Sequence, residues 1–509
     1  MNATMQHAAS AGPQAARVPS LPSLPSLPTH DGLFYGGGWH APALGSYAEV
    51  IEPGTGRRLG RAPVATAADA DAAVAAARQG FAVWRDTSPL ERARILKAIA
   101  ARLRGHVDEL ALLDAADCGN PVGAMAADVH VAAGLFEFFA GLVTEIKGAS
   151  IPMGPDAVNF SVREPLGVVA RIVAFNHPFM FAAGKMAAPL AAGNAIIIKP
   201  PEQAPLSALR LAEIVGDLLP PGVLSILPGG REVGTALVAH RDVAMVGLVG
   251  SVETGRAVMK LAADRLKPVL LELGGKNAFI AYPDVDPDQA AQAIVAGMNF
   301  AWCGQSCGST SRAFVHADIH DEVVERVRQH CARYVPGLPT DPATSMGTLI
   351  SREQHAKVLR YIASAREEGA RLVCGGKVPD APALAGGFYL EPTVFTQVRQ
   401  DMRVAREEIF GPVLSILKWT DEDAMLRDVN SVDYGLTCAI WTNDLEKAHR
   451  AAMRTQAGFV WINEVAKHFL GAPFGGVKQS GIGREECLAE LLAFTAEKNI
   501  HIGLRRVAR

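Results

Sequence analysis

The chain predicts an α/β fold built on parallel sheet, and three observations carry that prediction. Residues 167–174, 195–198, 223–227 and 243–249 are short, almost uninterrupted apolar runs, and helical patterns separate them. Strands without polar alternation are buried on both faces, as in a parallel sheet covered by helices on either side. The chain has 509 residues, 49% hydrophobic and 20% charged, so it can bury a large core but is too long for one, and two or three domains are expected.

Taken in order, residues 1–31 are expected to form a disordered tail. They are rich in Ala, Ser and Pro, and the repeat Pro19-Ser-Leu-Pro-Ser-Leu-Pro-Ser-Leu-Pro28 favours an extended polyproline conformation. The segment lacks the apolar core of a secretory signal and, with Arg17 as its one strong base, the Arg content of a transit peptide. Residues 67–85 and 90–114 carry apolar side chains at three-to-four spacing and are predicted helical. The alternating strands and helices then follow, and a second block of both signals runs from about 276 to about 475. Residues 495–503 alternate Ile and His and read as a strand that pairs elsewhere.

The bulk numbers exclude several functions. A net charge of −3 leaves no basic footprint for nucleic acid. No stretch reads as a membrane span, which needs roughly 18 or more mostly apolar residues; the long uncharged run 289–311 is interrupted by Gln, Asn, Ser, Thr and Gly. The 7 cysteines are scattered without a CxxC pair, so no metal site is expected and the pattern fits a reducing, cytoplasmic setting.

Chemistry concentrates in two motifs. Cys307 lies in a Gly/Ser-rich turn, Cys303-Gly-Gln-Ser-Cys307-Gly-Ser, and Glu272 lies in Leu271-Glu-Leu-Gly-Gly-Lys276. A thiol in such a turn and a carboxylate at a strand end suit covalent catalysis, in which a thiolate attacks a carbon and base-activated water releases the product. Alone, each has a plainer reading, as a small buried hydrophobe and as a solvated strand end.

Three weaker motifs suit a nucleotide. Gly250-Ser251 follows an apolar run and precedes a helical pattern, the arrangement that presents free N–H groups and a helix dipole to a phosphate. The dinucleotide fingerprint GxGxxG is missing here. Lys199 and Glu202, in Lys199-Pro-Pro-Glu202, follow the run 195–198, at the sheet edge where ligands bind; a carboxylate there can accept from ribose hydroxyls and repel a 2′-phosphate. In Glu407-Glu-Ile-Phe-Gly-Pro412, Glu408 can hold a ribose and Phe410 can pack on a flat ring. A solvated loop is the plainer reading of both loops.

With these residues in view, the chain resembles the aldehyde dehydrogenase superfamily, non-acylating type, across nearly all of residues 32–503. The matching segments run in family order: Ala174-Phe-Asn176-His-Pro178, Lys199-Pro-Pro-Glu202, Val249-Gly-Ser251, Leu271-Glu-Leu-Gly-Gly275, Gly304-Gln-Ser-Cys307, Glu407-Glu-Ile-Phe410 and Pro473-Phe-Gly-Gly476. The resemblance implies a Rossmann-like NAD-binding domain at 32–145 and 167–275, an α/β catalytic domain at 276–475, and a small β oligomerisation arm at 146–166 and 488–503, hence a homodimer or homotetramer. It implies Cys307 as nucleophile, Asn176 and the Cys307 N–H as oxyanion donors, Glu272 as base for the deacylating water, and Lys185 as a proton relay. It implies Lys199 and Glu202 at an adenosine ribose, Gly250 and Ser251 at the pyrophosphate, and Glu408 and Phe410 at the nicotinamide ribose, with NAD favoured over NADP. Phe175, His177 and Leu248-Val249 depart from the commonest pattern.

By position, the substrate tunnel is expected to be lined by His177, Met180, Phe181, Gly184, Ser306, Gly308 and the loop 464–469. Gly184 stands where many relatives carry a bulky aromatic, which predicts a roomy tunnel for an aromatic or branched aldehyde. Lys467 and His468 are candidate anchors for a substrate carboxylate, with orientation towards solvent as the alternative. Three rival functions are a coenzyme-A-acylating dehydrogenase, which usually lacks the equivalent of Glu272, a cofactor-free cysteine hydrolase, and a binding protein on an enzyme fold.

Overall fold

The computed structural model describes residues 25–504. Four early helices follow one another, α1 Ala67–Trp84, α2 Pro89–Arg104, α3 Val107–Cys118 and α4 Val122–Gly141, and α5 Pro178–Ala191 follows the strand Val168–Ile172. α1 starts where the Asp69 carboxylate accepts from the Thr66 N–H at 2.8 Å, and α2 starts at Pro89 with Ser88 accepting from the Glu91 N–H. The stretch 90–114, read from sequence as one helix, is two: it breaks at Gly105 and His106, where the Gly105 N–H closes α2 onto Ala101.

Two large sheets organise the chain. The first runs, edge to edge, Gly481–Ile482, Val269–Glu272, Val243–Val249, Val168–Ile172, Ala195–Lys199, Leu224–Ile226, Leu33–Tyr35 and Gly38–His40. Its middle pairs are parallel, in the register Val249↔Glu272, Leu248↔Ile172 and Ile172↔Lys199. Both faces are dry. Val169, Ile196 and Ile198 join the core beneath α2, α4 and α5, while Val168, Ala170, Ala195 and Ile197 join a second core against α1. That accounts for the unbroken apolar runs, since each alternate residue meets helices on its own side. The second sheet is seven-stranded, with Ala278–Ala281 parallel to Arg312–His316 and to Thr437–Trp441, and has its own core.

The segments expected to form an arm are mixed. Ser150–Ile151, Ala157–Pro165 and Thr495–Gly503 form a three-stranded sheet, but Leu488–Ala493 is a helix. The expected tail lies outside the described residues up to 24. From 25 onward it is anchored: the Thr29 hydroxyl donates to Glu213 at 2.7 Å, and Arg61 pairs with Asp31. α4 corrects the expectation that no stretch could span a membrane. By length and composition it passes that test, with mean hydropathy 1.4 in its best window, yet it packs against α2, α3 and α5.

Candidate active site

Parallel strands end where their chain must turn out of the sheet, and the reacting residues cluster at those ends. Glu272 closes the strand Val269–Glu272, Lys199 closes Ala195–Lys199, Gly250 follows Val243–Val249, and Asn176 lies four positions past Ile172. The second sheet supplies Cys307, in the loop before Arg312–His316. A cavity of about 660 Å³ joins Glu272 to Cys307 and is lined by His177, Met180, Phe181, Lys185, Val249, Ser306, Gly308, Lys467 and His468 as well.

The Cys307 loop is held from three directions. The Asn277 amide donates to the carbonyls of Cys307 (2.6 Å) and Ser309 (3.0 Å), Thr437 donates to the Gly308 carbonyl, and Gln305 bridges Thr348 and Ile350. Cys307 is partly exposed while Cys303 is fully buried. Burial pushes the Cys307 thiol up to about 12, with the charges of Glu272 and Glu408 adding to the effect.

Glu272 is 5% exposed, and neither carboxyl oxygen has a hydrogen-bond partner among the described residues. Burial raises its pKa well above the usual carboxylate range, and the Glu485 charge raises it further. A group in this state holds a proton more firmly and accepts one from water more readily than an exposed Glu does. Its seat depends on Gly475: a Cβ there, at φ +154°, would lie 2.7 Å from Glu272 Oε1, which is why the Phe-Gly-Gly segment is needed.

Asn176 is buried and is not on the cavity wall; its carbonyl accepts from Asn120 at 2.8 Å, and its side-chain amide has no partner among the described residues. Lys185 lies on the wall but is bound to Glu485 at 2.5 Å, and Arg171 holds the other Glu485 oxygen. Burial alone would lower the Lys185 ammonium, but Glu485 outweighs it and the pKa rises. The relay expected of Lys185 therefore meets a tightly held cation, which gives up its proton less readily than a free lysine.

The residues expected at a nucleotide lie along the first sheet's carboxyl edge and across from it. Ser251 caps the helix Val252–Ala263, accepting from the Thr254 N–H at 3.2 Å. Lys199 is 8% exposed, its ammonium has no partner among the described residues, and burial lowers its pKa against the opposing pull of Glu202, which is exposed. Glu408 accepts from the Gly275 N–H at 3.0 Å and rests on Gly274, where a Cβ would come within 2.0 Å of Oε2. Phe410 meets Phe175 edge to face, with ring centroids 5.7 Å apart. A helix N-terminus, an ammonium unpartnered among the described residues and a carboxylate seated in a glycine cradle fit a dinucleotide.

One sequence expectation fails on packing and a second meets competition from neighbouring acids. Gly184 does not open the tunnel, because Leu135 of α4 fills the space above it, 2.7 Å from where a Cβ would stand. Lys467 and His468 do line the cavity, but Lys467 pairs with Glu464 at 2.5 Å and His468 with Glu486 at 3.1 Å, so a substrate carboxylate would compete with those acids. Sequence reasoning also missed Asp128, Trp302, Trp461 and Glu485 on the wall. Trp302 adjoins the cysteine loop and was within reach of that motif; the others carry no local signal.

The model of the aldehyde dehydrogenase family matches residues 39–500. The chain belongs to the aldehyde dehydrogenase family. Among curated relatives, it is 52% identical to the aldehyde dehydrogenase tropH of Talaromyces stipitatus over 483 residues, covering 93% of this chain and 94% of that one. Among solved aldehyde dehydrogenases, it superposes on the P. syringae indole-3-acetaldehyde dehydrogenase AldA, a mutant in complex with NAD+ and IAA, with TM-score 0.91 and 36% identity over 93% of this chain and 97% of that one. The NAD+ complex of the Bacillus cereus aldehyde dehydrogenase gives TM-score 0.90 and 35% identity over 94% and 97%. The mixed α/β fold with NAD-binding and catalytic domains is therefore that of aldehyde dehydrogenases.

Proposed function

We propose that this aldehyde dehydrogenase oxidises an aldehyde to its carboxylic acid with NAD+, through a thioester on Cys307 that water cleaves with Glu272 as base. One observation carries the reading: the cysteine on the cavity wall shares that cavity with a buried carboxyl that has no hydrogen-bond partner among the described residues.

The Cys307 thiolate adds through Sγ to the aldehyde carbon, and the carbonyl oxygen becomes an oxyanion. The Cys307 N–H and the Asn176 side-chain amide, which would have to turn onto the cavity wall, would be the donors that stabilise it. Collapse of the oxyanion to the thioester breaks the C–H bond and releases a hydride, for which NAD+, when bound, supplies the acceptor. Lys199 and Glu202 would hold its adenosine ribose, Gly250 and Ser251 its pyrophosphate, and Glu408 with Phe410 its nicotinamide ribose; a carboxylate at position 202 would favour NAD over NADP. A water then adds to the thioester carbon while Glu272 takes its proton, the C–S bond breaks, and the acid leaves with the Cys307 thiolate restored. Glu272 favours water over coenzyme A as the acyl acceptor.

The aromatic walls, with Phe181, Trp302, Trp461 and Phe474 on the same cavity, support an aromatic aldehyde, as does the likeness to an indole-3-acetaldehyde dehydrogenase. The exposed edge strand Thr495–Gly503 supports assembly as a homodimer or homotetramer, and seven free thiols support a cytoplasmic setting. The test is NADH formation across aliphatic, aromatic and carboxylated aldehydes, with and without coenzyme A. Turnover that needs NAD+ and vanishes in Cys307→Ala supports the reading. Turnover without NAD+ would transfer it to a hydrolase.

A further inference from the structure

α4 and the start of α5 bring an aspartate and a histidine together in the cavity wall. Asp128 Oδ2 lies 2.7 Å from His177 Nδ1, with the two side chains 7% and 18% exposed. The His177 ring faces Phe181 at 5.4 Å and Trp302 at 5.5 Å. A carboxylate accepts only, so Asp128 holds the proton on Nδ1. Nε2 then becomes an acceptor, and it has no partner among the described residues.

The charges around this pair disfavour one class of substrate. The wall carries Asp128, Glu272, Glu485 and Glu486. Its cations are already engaged: Lys185 with Glu485, Lys467 with Glu464, and His468 with Glu486. Among the described residues, a substrate carboxylate would enter a site whose cations already have acid partners and whose one unpaired acid is Glu272. A neutral hydroxyl meets no such penalty and brings the proton that Nε2 lacks.

We propose that the Asp128–His177 pair selects aldehydes bearing a hydroxyl group, with His177 Nε2 accepting from that hydroxyl while aromatic walls hold the ring. The inference rests on the aldehyde-oxidising reading above and names its substrate class. His177 acts here as a specificity residue in contact with substrate, and Asp128 as a positioning residue.

The experiment compares kcat/KM for benzaldehyde, the three hydroxybenzaldehydes, a hydroxymethylbenzaldehyde and a carboxybenzaldehyde, in wild type, His177→Phe, Asp128→Ala and Asp128→Asn. At least one hydroxylated aldehyde is expected to exceed benzaldehyde by about tenfold, the worth of one well-placed hydrogen bond, with the difference in KM. The phenolic and alcoholic arms show which hydroxyl is read. That ratio, measured within each preparation and so independent of how much enzyme is folded, falls to about one in His177→Phe and Asp128→Ala. Asp128→Asn, which keeps an acceptor opposite Nδ1, retains it. A ratio that survives His177→Phe, or a wild-type preference for the carboxylated aldehyde, overturns the proposal. If wild type oxidises none of these aldehydes, the parent reading fails. Calorimetric binding of the same compounds to Cys307→Ala then still reads the preference, and equal affinities overturn the proposal independently.

Discussion

Lys185 Nζ lies 2.5 Å from Glu485 Oε2, a contact between residues 300 positions apart, and Arg171 holds the other oxygen of the same carboxylate. All three side chains are buried, at 8%, 2% and 1% exposure. Burial works against the Glu485 carboxylate, but Lys185 and Arg171 outweigh it and hold its pKa well below the usual range. This fixed charge pattern is what Glu272 faces, with Glu485 raising its pKa and Lys185 lowering it.

Removing the shared anion leaves two buried cations without a counter-charge. Glu485→Ala is expected to lower stability by about 3–5 kcal/mol, because breaking a buried pair costs more than the pair was worth. Denaturant unfolding of the purified variant measures it. A loss under about 1 kcal/mol would mean that water reaches the pair.

Glu272 is a functional residue that costs stability. Its pKa is raised in the fold, so the contribution of its acid form is fully present below the ordinary carboxylate range and is lost as pH rises through the raised value. Glu272→Gln removes that dependence. The variant is expected to be the more stable protein at pH 8, by about 1–3 kcal/mol, the usual cost of an unsatisfied buried polar group, with the advantage shrinking towards pH 5. Thermal melts of both proteins across that range give the comparison, and parallel curves would contradict it.

The Cys307 thiol, pushed up to about 12 by burial, is mostly protonated in the free protein. Alkylation by iodoacetamide without cofactor is expected to rise nearly tenfold per pH unit from 6 to 9, since only the thiolate reacts. Because the Glu272 charge helps to raise that pKa, Glu272→Gln reacts faster at high pH. A plateau near neutrality would show the thiol activated before any cofactor binds.

Gly274 gives Glu408 its seat. A methyl there would lie 2.0 Å from Oε2 and displace the carboxylate from the Gly275 N–H. Gly274→Ala is expected to raise the KM for NAD+ by tenfold or more while leaving the KM for aldehyde within about twofold, since one charge-assisted hydrogen bond is worth about 1.5–3 kcal/mol. Initial-rate kinetics in both substrates separates the two. An unchanged KM for NAD+ would remove Glu408 from the cofactor site.

Much of this was legible in the linear chain, for a physical reason. Glu272, Cys307 and Ser251 sit at strand ends or in tight Gly turns, where local geometry forces a local signature. The parallel strands were legible because burial on both faces removes polar alternation, as Val168 and Val169 entering opposite cores illustrate. Pairs made by packing left no such mark. Asp128 meets His177 across 49 positions, and nothing near either residue announces the other. α4, apolar almost all round, lacks the stripe that marks a surface helix. Gly184 misled because a missing side chain predicts space only when no neighbour fills it, and Leu135 does.

The central claim is that Cys307 carries the acyl group and Glu272 sends water to release it. Mass spectrometry of Glu272→Gln after mixing with NAD+ and an aldehyde accepted by wild type tests it most directly. The account predicts one acyl adduct per chain, located on Cys307, with about one equivalent of NADH released in a burst followed by slow turnover. Steady turnover at the wild-type rate with no adduct would show that the thioester does not depend on Glu272 for its release, and the account would be wrong.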